Sequence, residues 1–131
     1  MAASLVAAFL PIPAVAEVGP HALMNVSQEL LRAYNAEDAR ALHGLLSPAL
    51  QVKYSVEAIH VLLAQCRAMT HEIDRFSIPS WGGRRYGFFG VYAELKVLEM
   101  ILEIDENEKI IHWAVTDDVT SGDQRCTVNG F

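Results

Sequence analysis

Residues 86–117, YGFFGVYAELKVLEMILEIDENEKIIHWAVTD, constrain the fold more than any other part of the chain. Leu98, Met100, Leu102 and Ile104 fall on one parity and Glu99 and Glu103 on the other, the period-two pattern of a strand with one face buried. Asp105, Glu106, Asn107 and Glu108 break the run with turn formers, and Ile110, Ile111, Trp113 and Val115 resume it, so a short hairpin is predicted. Upstream, Phe89, Val91, Ala93 and Leu95 repeat the alternation. Three consecutive antiparallel strands with one greasy face need a cover, and the amphipathic segments earlier in the chain are what can supply it.

Those segments read as three helices. The first starts at Gly19 and Pro20, with proline at the first helical position, and repeats Leu23, Val26, Leu30, Ala33 and Tyr34 at helical spacing. Asn35 ends it or caps the next, with Asp38 supplying a carboxylate near that helix's start. The second helix covers 37–46, and Ser47-Pro48 stops it, because proline restricts the residue before it. A connector, 49–54, leads to a third helix capped by Ser55, with Val56, Ile59, Leu62, Leu63, Cys66 and Met69 on its buried stripe. Ile73, Phe76 and Ile78 then suggest a bulged strand that Pro79 confines to an edge, and Trp81-Gly82-Gly83-Arg84-Arg85 reads as a turn. The expected class is α+β, N-terminal helices on a curved antiparallel sheet of about four strands.

The chain of 131 residues fits one domain, 17–119, followed by a polar tail, 120–131, that contributes little core beyond a short edge strand at 126–128. A formal charge of -6 and the lack of a dense Lys/Arg run argue against nucleic acid and anionic membrane as partners. Residues 1–16 carry no charged side chain, hold an apolar run at 5–12 too short to span a bilayer, and end in Ala14, Val15 and Ala16. That is the small-residue spacing of a signal peptide cleaved before Glu17, which predicts export to a periplasm or to the outside and no membrane span after processing. Without cleavage the expected location is the cytoplasm. Cys66 and Cys126 allow one internal bridge; an unpaired Cys66 on an apolar helical stripe is a small hydrophobe, and Cys126 falls in the polar tail, so two unpaired thiols are predicted.

Residues 30–48, LLRAYNAEDARALHGLLSP, resemble the first-helix signature of the nuclear transport factor 2-like superfamily, with its bend of aromatic, Asn, small, acidic and Asp residues between two helices. The likeness continues through a capped helix, a strand region and a strand pair with an acidic turn before Lys109-Ile110-Ile111, and it covers about 22–119. It resembles the branch of small exported domains of unknown function. The resemblance implies a cone, in which a curved sheet wraps around helices, often with an apolar cavity and often dimerising through the sheet's outer face. Fold does not fix activity.

Enzymatic members of such a family place a carboxylate base just after the second helix, yet residues 47–54 contain no Asp or Glu. Glu94, Glu99 and Glu103 have the parity opposite the apolar face and read as solvated or interface residues, and His112 shares that outer side. No His or Cys spacing fits a metal site, and no catalytic residue, metal or cofactor is assigned. The residues placed to line a cavity or its rim are Tyr34, His43, His60, Trp81 and Trp113, with Arg84, Arg85 and Tyr86 beside Trp81 at a turn that a solvated hairpin end explains equally well. The expected function is a non-catalytic domain that binds a protein partner or a small apolar ligand, or that forms a homodimer through its sheet. The alternative is a cone-fold isomerase or dehydratase acting on a small apolar substrate, with Tyr34 and His43 or His60 in place of the absent carboxylate.

Overall fold

Helices come first and strands second, and the helices supply the cover that the alternation at 86–117 calls for. The structure, a computed structural model, describes residues 18–117 and 126–130; the leader expected at 1–16 lies outside them. Four helices, α1 (Ala22–Asn35), α2 (Ala39–Leu45), α3 (Pro48–Lys53) and α4 (Val56–Thr70), precede β1 (Ile73–Phe76), β2 (Trp81–Gly82), β3 (Tyr86–Ala93), β4 (Val97–Ile104), β5 (Ile110–Thr116) and β6 (Thr127–Asn129). The sheet runs β1-β3-β4-β5-β6, every pair antiparallel, with β2 also paired to β3. This is the α+β class, with two more strands than expected.

The helix boundaries follow local capping chemistry. Pro20 stands in a turn ahead of α1 rather than within it, and the helix starts after His21. Its far end is a Schellman closure: Glu37 takes a φ of 54°, its N–H reaches the Tyr34 carbonyl at 3.1 Å, and the Asp38 N–H reaches that of Ala33 at 2.9 Å. Asp38, not Asn35, then caps α2 by accepting from the Ala41 N–H at 3.0 Å. The stretch 49–54, expected to be a connector, is helical. Ser47-Pro48 both stops α2 and starts α3, because Ser47 Oγ accepts from the Leu50 N–H and proline at the first position forgoes a donor the helix has no use for. Ser55 caps α4 through the Ala58 N–H, as predicted.

The core lies between helices and sheet. Leu98, Met100, Leu102 and Ile104 are buried with Leu30 of α1, Leu42 of α2, Leu50 of α3 and Ile59 and Leu63 of α4 in one cluster. The alternation therefore assigns the inner face of β4 correctly. On β5 both Ile110 and Trp113 are buried although their parities differ, and the register gives the reason: Ile104 pairs with Ile110 but Glu103 with His112, so Ile111 is an extra residue that turns the strand over. A second irregularity between Ile73 and Arg75 is the bulge predicted for the first strand. Leu95 departs from expectation. It sits in the turn between β3 and β4 and is 60% exposed.

The largest correction is at the cysteines. Cys66 on α4 and Cys126 ahead of β6 form a disulfide with Cα atoms 5.1 Å apart, closing a separation of 60 residues. In the chain-entropy model a loop of that size is worth about 4 kcal/mol. The short edge strand expected at 126–128 is present as β6, and because both cysteines and Val128 are buried it adds more to the core than expected. Among the described residues no helix is long and apolar enough to cross a membrane.

Candidate functional site

Two of the residues singled out for a cavity meet in the interior. Tyr34 and Trp113 are fully buried and meet edge to face, with ring centroids 6.0 Å apart. The Tyr34 hydroxyl is spent on Thr70 Oγ1 at 2.5 Å, and the Thr70 hydroxyl donates in turn to the His71 carbonyl at 2.8 Å. Burial pushes the Tyr34 phenol above its ordinary value of 10.0; the bond to Thr70 and the Arg67 guanidinium, 5.9 Å from the ring centroid, pull the other way and do not cancel it. Trp113 Nε1 and Arg67 Nη1 are buried with no partner among the described residues.

The remaining residues singled out for a cavity lie elsewhere. His43 is half-buried, and its Nε2 lies 2.8 Å from the Tyr54 carbonyl and 3.2 Å from that of Gln51, while the Gln51 amide donates back to the His43 carbonyl. That set of bonds ties α2 to α3. His60 is on the exposed side of α4. Trp81 is on β2, 62% exposed, leaning on Tyr86 and Phe88 at centroid distances of 5.6 and 5.0 Å. Tyr34 and Trp113 are thus brought together, and His43, His60 and Trp81 are not brought to them by any described hydrogen bond or ring contact. No group of three or more His, Cys, Asp or Glu among the described residues is placed to hold a metal ion.

The outer face of the sheet offers the chemistry that the interior does not. Register puts Arg75, Tyr92 and Val97 in one row across it, Gly90, Glu99 and Thr116 in the next, then Trp81, Phe88, Ile101, Ala114 and Thr127, and finally Tyr86, Glu103, His112 and Asn129. His112 therefore shares the outer side with Glu103, as its parity predicted. Toward β5 these rows are less exposed, Ala114 and Thr116 being buried and His112, Thr127 and Asn129 half-buried. The end formed by β1, β2, β3 and β4 is open, and there Val97 is 64% exposed and Ile78, in the connector between β1 and β2, is 77% exposed. Arg75 lies over the Tyr92 ring at 3.9 Å, which holds both side chains flat on this face. Apolar and aromatic groups with both signs of charge between them have the mixed composition found at protein interfaces.

Sequence reasoning named Glu99, Glu103 and His112 on this side and missed Phe88, Gly90 and Tyr92. The signal was present, since those three hold the parity opposite to Phe89 and Val91. Comparisons with family models, with curated proteins and with solved structures found no match for the chain.

Proposed function

We propose that this chain is a small exported binding domain without chemistry of its own, a member of the nuclear transport factor 2-like group, that pairs with a second copy through the open part of its sheet's outer face. The observation that carries the reading is the contrast between the two faces of β3 and β4. The inner face is buried against the helices, with Tyr34 and Trp113 packed against each other, while on the outer face Val97 and Trp81 are exposed and Phe88 and Ile101 half-buried. Apolar groups gathered on one face, with charges interspersed, are what an interface of marginal hydrophobicity presents before it is covered.

Export is supported by two independent features. Residues 1–16 have the apolar run and small-residue ending of a leader, and a buried disulfide belongs to an oxidising compartment. Mass spectrometry of the mature amino terminus tests this, with Glu17 as the expected first residue.

Sedimentation equilibrium tests the pairing. The expected result is a dimer with a dissociation constant on the order of 1 μM, reduced to a monomer by Ile101→Lys, with the circular dichroism spectrum and melting temperature retained. A chain that is monomeric at millimolar concentration, or a dimer indifferent to Ile101→Lys, overturns it.

A further inference from the structure

The open end of the outer face has a hollow in its floor. Between β1 and β2 the chain leaves the sheet at 77–80, and Ser77 holds on to Gly90 by both backbone groups: its N–H donates to the Gly90 carbonyl at 2.8 Å, and its Oγ accepts from the Gly90 N–H at 2.7 Å. Gly90 presents no side chain, while its neighbours on the same side of β3 are the rings of Phe88 and Tyr92. The result is a concavity of about 680 Å³ whose walls include Phe88, Tyr92, Val97 and Glu99, with Ile78 at its lip. A Cβ at Gly90 would come to 3.3 Å from Ser77 Oγ and 3.6 Å from the Tyr92 ring, so any larger residue there fills the hollow from below.

One strand away stands a matching projection. Trp81 pairs with Phe88, is mostly exposed, and is braced by the rings of Phe88 and Tyr86. Bracing matters because an anchor already held in place loses little freedom on binding, and tryptophan is the residue most often found at the energetic centre of an interface. A two-fold interface requires that a single patch carry both knob and hole, since each copy must offer what the other accepts. This patch carries both.

We infer that the hollow over Gly90 receives Trp81 of a second copy, and that the second copy's hollow receives Trp81 of the first, about an axis passing near Phe88. Chemistry agrees with the assignment: the projecting group is an indole, and the walls it meets are the rings of Phe88 and Tyr92 and the side chain of Val97. The inference rests on the pairing proposed above and specifies which groups perform it.

Sedimentation of Trp81→Ala, Gly90→Val and their equimolar mixture, beside Ile101→Lys, tests it, with melting curves showing that each variant is folded. Each variant alone is expected to weaken the dimer by about 30-fold or more. The mixture is expected to recover part of that loss, because a mixed dimer keeps one intact contact: Trp81 of the Gly90→Val chain against Gly90 of the Trp81→Ala chain. Recovery on mixing is the result that a merely destabilised surface would not give. If both variants dimerise like the unsubstituted chain while Ile101→Lys does not, the outer face pairs but the hollow is not the receptor. Two weakened variants that fail to recover on mixing likewise overturn the reciprocal contact, and a monomeric unsubstituted chain overturns this inference and the proposed pairing together.

Discussion

The side-chain amide of Asn35 closes both backbone groups of Ile73, donating to its carbonyl at 2.8 Å and accepting from its N–H at 3.0 Å. Asn35 is the last residue of α1 and Ile73 the first of β1, 38 positions apart, so one side chain acts as a short surrogate strand along the edge of the sheet. Substitution by alanine leaves a donor and an acceptor without partners in a half-buried place, at an expected cost of about 2 kcal/mol. Asn35→Asp keeps the acceptor but sets a carboxylate against the Ile73 carbonyl, and it is expected to cost at least as much. Urea unfolding of the two variants checks this; if Asn35→Asp proves the milder of the two, the paired geometry is wrong.

His71 ends α4 with φ 57° and ψ -145°, a region open to glycine and costly for a residue with a Cβ. The side chain gives little in return. Its contact with Glu94 is 3.7 Å long and both groups are about half exposed or more, where such pairs are worth about 0–1 kcal/mol. Release of backbone strain therefore outweighs the lost pair, and His71→Gly is expected to raise stability by about 1 kcal/mol even after glycine's greater freedom in the unfolded chain is counted. A thermal melt at constant pH measures the sign, and a fall in melting temperature would assign the Glu94 contact more weight than its geometry suggests.

What the sequence shows plainly here is whatever repeats. The inner faces of α1, α4 and β4 are periodic, and Leu30, Ile59 and Met100 fall where period alone puts them. The six residues of α3 are too few for a period, with Leu50 the one buried member, and Ser47-Pro48 signals a helix start as well as a stop, so a connector was the natural reading. Cys126 lies beside residues whose composition is polar, although it shares parity with Val128, the side that packs inward. The outer face was legible from the same alternation that gave the inner one. Its hollow was not, because it exists only through the grip of Ser77 on Gly90, a contact across 13 residues that no local pattern encodes.

The disulfide contributes to stability on the scale of a large core side chain. Converting both Cys66 and Cys126 to serine removes the cross-link from a separation of 60 residues and places two hydroxyls in buried positions, so a loss of about 4 kcal/mol or more is expected. Cys66→Ala with Cys126→Ala separates the two contributions, since it removes the cross-link without adding polar groups. Retention of β6 in the alanine pair, read from slow amide exchange of Val128, would show that packing alone holds this strand, whereas fast exchange there with protection kept on β4 would show that the cross-link is what holds it.

Tyr34 gives the fold a dependence on alkaline pH whose sign can be worked out. Burial raises its folded pKa above the ordinary 10.0, so between the unfolded and folded values the native chain holds one proton more than the unfolded chain does. Stability from this group is therefore complete below about pH 10 and declines as pH rises from there through the folded value. Absorbance at the phenolate band should show one of the four tyrosines titrating late and together with unfolding. Tyr34→Phe removes the group and its bond to Thr70, lowering stability near neutral pH by about 1 kcal/mol, and it should flatten the alkaline decline. A variant that loses stability at neutral pH yet keeps the same alkaline slope would place the responsible proton on another residue.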